Sequence, residues 1–394
     1  MKILHTSDWH LGKKLEGRSR LEEQKLFLEE IKKICNIENI DILVVAGDIY
    51  DSPHPSSEAE RLYFDSIKDL SNKGKRAVII ISGNHDSGDK LLVADSFAKE
   101  FAVISFGKPL EKKECGFYGE FQIIESYEGA IVLKKENKEI FINLLPYASE
   151  KNLNEIWEKG DGEQKAYSKR IGELLFKSYQ HKRKELKSML VSHLFTIGAN
   201  NEGSEREIEL GGSLAFDLQD APKYDYIALG HIHRPIEFKK ANCVYSGSPM
   251  EFRISESKFS KCVYIKDFDN MELKKIPLKN HKEIKAYTLY SIEEAIEKAK
   301  YLENENQWIY FYIECNRPLQ ANEIKEIKKN KNIVEIIPRI EWEDDEEFLI
   351  DNYTGENIKE AFLAFYKSER NISPEPSTLD AFLELIQEVE HETN

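Results

Sequence analysis

Three times before residue 87 this sequence runs an apolar strand directly into a polar turn carrying an acid, an amide or a histidine. Residues 2–6 end at Ser7-Asp8-Trp9-His10. Residues 41–46 end at Gly47-Asp48, and residues 77–81 end at Ser82-Gly83-Asn84-His85-Asp86. Between them lie segments of helical period: 21–35 sets Phe27, Ile31 and Ile34 on one face, and 57–71 reads as a second helix. Apolar strands alternating with helices specify a layered α/β domain. In such sheets ligands collect at the carboxyl ends of the strands, where these polar turns lie.

The pattern continues downstream. Residues 120–145 read as shorter antiparallel strands, and 152–187 as helical and charged. A strand at 189–192 ends at His193. The Gly-rich stretch 198–213 is expected to be a mobile loop. A strand at 225–229 ends at Gly230-His231-Ile232-His233, and two or three more strands run through 243–276. After Lys285 the pattern changes to strands at 286–290, 307–314 and 332–338 with helices at 292–303 and 320–331, a small α+β domain whose aromatics are expected in its core. An acidic linker, 341–353, leads to two short amphipathic helices. Ile358, Ala361, Phe362, Phe365 and Tyr366 form the first apolar stripe. Ser377 and Asp380 make a capping pattern for the second, whose stripe is Leu379, Phe382, Leu383, Ile386 and Val389. The expected division is therefore 1–280, 285–338 and 341–394. The 394 residues are too many for one ordinary domain.

Net charge is -15, which alone argues against a nucleic-acid binder. Yet residues 341–394 hold 16 acidic and 3 basic side chains, so 13 of those charges belong to the tail and the body is nearly neutral. Local basic clusters remain at Lys13, Lys14, Arg18 and Arg20, and at Lys177, Lys182, Arg183, Lys184 and Lys187. Phosphate binding needs such local fields rather than a basic total; the bland alternative is a solvated helix face. With no apolar run of membrane length, no signal-peptide pattern and no Cys-x-x-Cys, the five cysteines fit reduced thiols in a cytoplasmic chain.

Asp8, His10, Asp48, Asn84, His85, His193, His231 and His233 all sit on turns after strands. One such set is weak evidence, but five in one domain are hard to explain structurally. Burying acids and imidazoles side by side is costly without a cation, and metal binding offsets that cost. A mixed N and O set without thiolate suits Mn, Fe, Co or Zn. Two carboxylates, one amide and four imidazoles exceed one tetrahedral site and suit two metals sharing a carboxylate, which points to phosphoester hydrolysis.

The ordered motifs Asp8-x-His10, Gly47-Asp48, Gly83-Asn84-His85-Asp86, His193 and Gly230-His231-Ile232-His233 resemble the calcineurin-like metallophosphoesterase superfamily. The flanks His5-Thr6-Ser7-Asp8-Trp9-His10-Leu11-Gly12, Gly47-Asp48-Ile49-Tyr50-Asp51 and Ser246-Gly247-Ser248-Pro249 are similar to its bacterial SbcD nuclease-subunit family over about residues 1–280. That resemblance implies a four-layer α/β/β/α sandwich with a small capping domain that contacts DNA. It implies two Mn ions, one held by Asp8, His10, Asp48 and His233, the other by Asp48, Asn84, His193 and His231. His85 would stabilise the transition state or protonate the leaving oxygen, with Asp86 orienting its ring, and Asp51 is a candidate supporting acid. His54 is expected to be exposed, His5 to lie in the core, and His181, His281 and His391 to have no role.

The activity implied is exonuclease action on double-stranded ends and endonuclease action on single strands or hairpins, in DNA repair, recombination and replication. A homodimer working with the SMC-like ATPase SbcC is implied, gripped through the tail residues Ile358, Phe362, Phe365, Phe382, Leu383 and Ile386. No Gly-x-x-x-x-Gly-Lys-Ser/Thr occurs, so ATP would be bound by that partner. Rival readings are a small-phosphodiester or phosphoprotein enzyme of the same superfamily, or a metal-free scaffold. The basic loop, small domain and tail oppose the first, and the complete ligand set opposes the second.

Overall fold

Strands Ile42–Ala46 and Ala77–Ile81 are buried at every position, as parallel strands covered on both faces must be. They lie inside a six-stranded sheet ordered Leu273–Pro277, Cys262–Asp267, Lys2–Thr6, Ile42–Ala46, Ala77–Ile81, Val103–Phe106. The last four strands are mutually parallel. Lys2–Thr6 is flanked on its other side by the antiparallel strand Cys262–Asp267. The computed structural model describes residues 1–92, 98–155, 163–197 and 214–340, with eight further residues between 359 and 382. Residues 1–339 make one compact unit, residues 340–394 a second.

An eight-stranded sheet is ordered Ile236–Phe238, Cys243–Tyr245, Tyr226–Gly230, Lys187–His193, Lys138–Leu145, Ala130–Lys135, Phe121–Tyr127, Gly116–Tyr118. The alternation of side chains along strands then builds the layers. Ile3, Val44 and Ile79 face Ile142, Val191 and Ala228 across the inter-sheet core. Their neighbours Leu4, Leu43, Val45 and Val78 pack outward against Phe27, Ile31, Tyr63 and Ile67, from helices Leu21–Ile37 and Ser57–Leu70. On the far side Ile171, Leu174 and Leu175 cover Leu190, Ile227 and Leu229, from helix Glu163–Tyr179. Helix, sheet, sheet, helix is the four-layer α/β architecture expected.

The helical reading of 152–187 is corrected in detail. The chain forms a short helix Glu150–Leu153 that stops at Asn154 in the left-handed region, and a separate helix covers Glu163–Tyr179. Charge density masked that break. A hairpin, Lys14–Leu15 against Arg18–Ser19, turns at Glu16 and Gly17, both with positive φ, as a tight primed turn requires. Only its basic residues were legible beforehand.

A third sheet is ordered Glu283–Leu289, Gln307–Cys315, Ile333–Ile340. Helix Ile292–Tyr301, capped by Ser291 Oγ, and helix Ala321–Ile327, opened by a Gln320/Glu323 capping box, flank these strands. Ala295, Ala299 and Ile327 pack there with Leu289, Ile309, Phe311 and Ile313. A separate cluster holds Ile284, Trp308, Tyr310 and Val334 against Leu15 and Ile254. Trp308, Tyr310 and Phe311 are thus core, whereas Tyr290 and Tyr301 are exposed, against the expectation that the aromatics of this module pack inside it.

In the tail, Phe362 and Phe382 stack face to face at 4.0 Å, with Tyr366 5.8 Å from Phe362. The loop 198–213, the linker 341–353, and Ile358, Phe365, Leu383 and Ile386 lie outside the described residues. Among the described residues no helix is long and apolar enough to cross a membrane.

Candidate metal centre

The polar turns converge where the two sheets meet. Asp8 and His10 leave the 2–6 strand, Asp48 the 42–46 strand, and Asn84 and His85 the 77–81 strand. His193 closes the 187–193 strand, and His231 and His233 follow the 226–230 strand. Asp8 (φ 53), His10 (φ 44), Asp48 (φ 51) and His231 (φ 101) all adopt left-handed backbone, a concentration of unfavourable conformation typical of functional sites. Two glycines make the approach possible. A Cβ on Gly47 would overlap the His193 ring, and one on Gly230 would overlap the Ala46 carbonyl.

Asp48 lies at the middle. Its Oδ2 is 3.6 Å from His10 Nε2 and 3.3 Å from His193 Nε2, and its Oδ1 accepts the His85 amide at 2.9 Å. His10 Nε2 lies 3.1 Å from His233 Nε2. Asn84 Oδ1 lies 3.0 Å from His193 Nε2 and 3.1 Å from His231 Nδ1. Asp8 accepts the His231 amide at 3.0 Å and the Ser7 hydroxyl at 2.5 Å. Ligand-type atoms of Asp8, His10 and His233 fall within 4.8 Å of one another, as do those of Asp8, Asp48 and His193.

The ring nitrogens facing away from this centre are already committed. His193 Nδ1 donates to the Ala46 carbonyl at 2.8 Å, and His233 Nδ1 to Glu256 Oε1 at 2.9 Å. Each neutral ring then turns its Nε2 lone pair inward. With those two rings neutral, imidazole, amide and carboxylate donor atoms gather at one place, and a divalent cation fits this donor set. A proton is the alternative occupant. Burial opposes a charged His193, yet the charge and hydrogen bond of Asp48 lift its pKa to about 9. Burial raises Asp8, while for Asp48 the same burial is outweighed by the charge and hydrogen bond of His193 and the charges of His10 and His85, which hold it well below the carboxylate range. His231 is pushed down to about 3, by burial first and the His193 charge second.

The proposed support for His85 needs correction. Its Nδ1 donates to the Asp51 main-chain carbonyl at 2.8 Å, which orients the ring. The Asp86 carboxylate instead accepts the amides of Gly83, Tyr50 and Ile49 at 2.8, 2.9 and 3.1 Å, tying two of the turns together. Burial and then the Asp48 charge raise Asp86 to about 6. The Asp51 carboxylate takes Lys13 Nζ at 2.9 Å and lies 3.9 Å from His10 Nδ1. Ligand-type atoms of His10, Asp51 and His85 also cluster, but the Lys13 ammonium occupies that carboxylate.

The basic clusters fare unevenly. Arg20 is buried against Glu23. Lys177 pairs with Glu128, Arg183 with Glu139 and Lys187 with Asp225, so that face is an ion-paired surface. Lys14 is exposed on the hairpin after His10. His5 is buried and bonded to Tyr226, His54 is exposed, His181 stacks on Tyr127, His281 pairs with Glu30, and His391 lies outside the described residues.

Several residues escaped the sequence reading. Ser7 Oγ and Ser246 Oγ lie 2.8 Å apart behind Asp8. The Tyr147 ring stands 6.2 Å from His193 and 6.3 Å from His231. Phe252 meets His10 edge-on at 5.3 Å and His233 at 5.6 Å. Glu256 is buried, bonded to Lys261 Nζ at 2.6 Å, and held well below the usual carboxylate range: burial acts upward, but the Lys261 and His233 charges outweigh it. The only signal for this group was that Ser246-Gly247-Ser248-Pro249 precedes it.

The sequence pattern of the calcineurin-like phosphoesterases matches residues 1–235. Over 404 aligned residues the chain is 31% identical to the SbcD component of the SbcCD nuclease from Bacillus subtilis, covering 100% of this chain and 99% of that one. The component of the same name from Staphylococcus epidermidis is 29% identical over 315 residues, 79% of this chain and 78% of its own length. That from Staphylococcus saprophyticus is 26% identical over 319 residues, with 79% and 77% covered.

Proposed function

This chain belongs to the calcineurin-like phosphoesterases and, within them, to the SbcD nuclease subunits, and on that premise we propose that it cuts DNA at a two-metal centre in partnership with an SMC-like ATPase of the SbcC type. The chain is a phosphodiester hydrolase. The observation that carries the two-metal reading is the inward convergence of lone pairs around Asp48, with the outer nitrogens of His193 and His233 already committed.

Asp8, His10, Asp48 and His233 would hold one divalent cation, and Asp48, Asn84, His193 and His231 the other, with manganese as the physiological choice. Such cations neutralise the phosphodiester charge and make water acidic enough to attack at neutral pH. The protein's own groups do the rest. The left-handed turns fix carboxylates and rings before substrate arrives, so no reorganisation is needed at the moment of reaction. With Nδ1 tied to the Asp51 carbonyl, His85 exchanges protons through Nε2. Protonated there, it stabilises charge on the phosphoryl oxygens or gives its proton to the leaving oxygen. Phe252 and Tyr147 wall the rings and limit water access.

For the substrate, Lys14 on the hairpin beside His10 offers a phosphate contact, and the module over 283–340 is the capping element that meets DNA. The tail, 341–394, grips the ATPase, and the assembly is a dimer of such pairs in the cytoplasm. The Phe362–Phe382 stack supports a folded helical pair as the gripping unit.

The test is the purified chain with Mn²⁺ on linear duplex DNA, single-stranded circles and bis(p-nitrophenyl) phosphate. Two metal ions per chain and DNA cleavage are expected. Fewer than two ions would overturn the dinuclear centre, and hydrolysis of the small diester alone, persisting after the ATPase is added, would overturn DNA as substrate. Deleting 341–394 is expected to abolish ATPase binding while sparing diester hydrolysis; unchanged binding would remove the tail from the reading.

A further inference from the structure

His233 differs from His193 in what lies behind it. His193 Nδ1 donates to a neutral carbonyl, and His10 Nδ1 is 3.9 Å from Asp51, beyond hydrogen-bond reach. His233 Nδ1 meets a carboxylate, Glu256 Oε1, at 2.9 Å. Glu256 is 1% exposed and Lys261 5%. Lys261 Nζ reaches Glu256 Oε2 at 2.6 Å, Ser248 Oγ at 2.7 Å and the His233 carbonyl at 3.2 Å. The same lysine thus holds both the main chain of His233 and the acid on its ring. The single turn Ile254–Lys258 that carries Glu256 is pinned from outside, because Ile254 packs with Ile284 and Trp308.

A buried ion pair is weak evidence for stability, since its desolvation offsets its attraction. This one is aimed at a ring whose other nitrogen faces the metal centre. We propose that Glu256 and Lys261 are positioning residues: Glu256 fixes His233 as the Nδ1–H tautomer and strengthens Nε2 as a donor, and Lys261 holds that carboxylate in place. The metal position built on Asp8, His10 and His233 therefore depends on an anionic support, whereas at the position built on Asn84, His193 and His231 the His193 ring leans on a neutral carbonyl. The inference rests on the two-metal reading above.

The full chain, stripped of metal, is titrated with MnCl₂ in a calorimeter as wild type, Glu256→Gln and Glu256→Gln/Lys261→Met, and the metal-free forms are melted in parallel. The double substitution removes the carboxylate without leaving a buried ammonium unpaired. Wild type is expected to show two binding events. In both variants one event should weaken about 10–100-fold, the usual cost of losing a partner behind a metal ligand, while the other stays put. The double variant should melt near wild type. Two wild-type affinities in the double variant would overturn the inference while leaving the two-metal reading intact. If wild type itself shows fewer than two events, that reading fails first, and recognisably so. Should both variants aggregate, histidine ¹⁵N resonances of the metal-free wild type decide: His233 protonated on Nδ1 is expected, and an Nε2-protonated ring overturns the inference.

Discussion

Beneath the three-stranded module, buried donors meet acceptors. Trp308 Nε1–H donates to Glu23 at 2.8 Å, the Ile284 amide to Glu251 at 3.1 Å, and the Arg20 guanidinium to Glu23 and the Glu251 carbonyl. Around Asp48 potential metal-donor atoms crowd one another: two imidazole nitrogens lie 3.1 Å apart, and an amide oxygen lies 3.0 Å from a third. Both regions bury polar groups, but only the first is complete with protein alone. A balanced network is scaffold, whereas a surplus of lone pairs calls for a cation. Backbone follows the same division, since the surplus sits on left-handed turns that the balanced seam largely avoids.

Substitutions test this contrast, and the largest effect belongs to Asp48→Ala. Removing the shared carboxylate should release both ions and take hydrolysis to background, read by metal analysis beside a diester assay. Next, His85→Ala should keep both ions while turnover falls by about 10²–10⁴-fold, the range of a lost general acid–base group. Near-normal turnover would strip His85 of its role. Gly230→Ala forces a methyl into the Ala46 carbonyl and the His193 ring, so melting should show a loss of about 1–3 kcal/mol, typical of overpacking, together with weaker metal binding. The smallest change is expected at the seam. Trp308→Phe removes one hydrogen bond while keeping an aromatic ring against Ile254, and should cost about 1 kcal/mol in denaturant titrations, with metal content and small-diester hydrolysis untouched. A metal defect there would erase the distinction between the two regions.

What the sequence reveals follows from the same physics. Apolar strands running into polar turns are local signals, so a layered α/β domain and the turns bearing Asp8, Asp48, Asn84 and His231 could be read directly, whereas the two-sheet sandwich came through the family resemblance. Glu256 could not, because nothing local marks an acid 23 positions after His233 as the partner of its ring. Asp86 misled for a related reason. Adjacency suggested that it serves His85, whereas the fold brings the Asp51 carbonyl to that ring and three amides to Asp86. Arg20 read as a surface cation because the acid that buries it, Glu23, lies on the next helical turn and beside Trp308, distant in sequence. Charge runs alone could not show that Lys177 and Arg183 would be neutralised by Glu128 and Glu139.

The strand Lys2–Thr6 lies between Ile42–Ala46 and Cys262–Asp267, so it acquires its second neighbour from far downstream in the chain. Pairing across such a span makes folding slow and late. His231 and His233, and then the turn holding Glu256, likewise emerge after most of the layers exist. A growing chain therefore carries Asp8, Asp48 and Asn84 through most of its synthesis without the histidines that complete the centre. On this topology the donor set closes only once strands far apart in sequence have paired, so assembly of the centre waits on the fold as a whole.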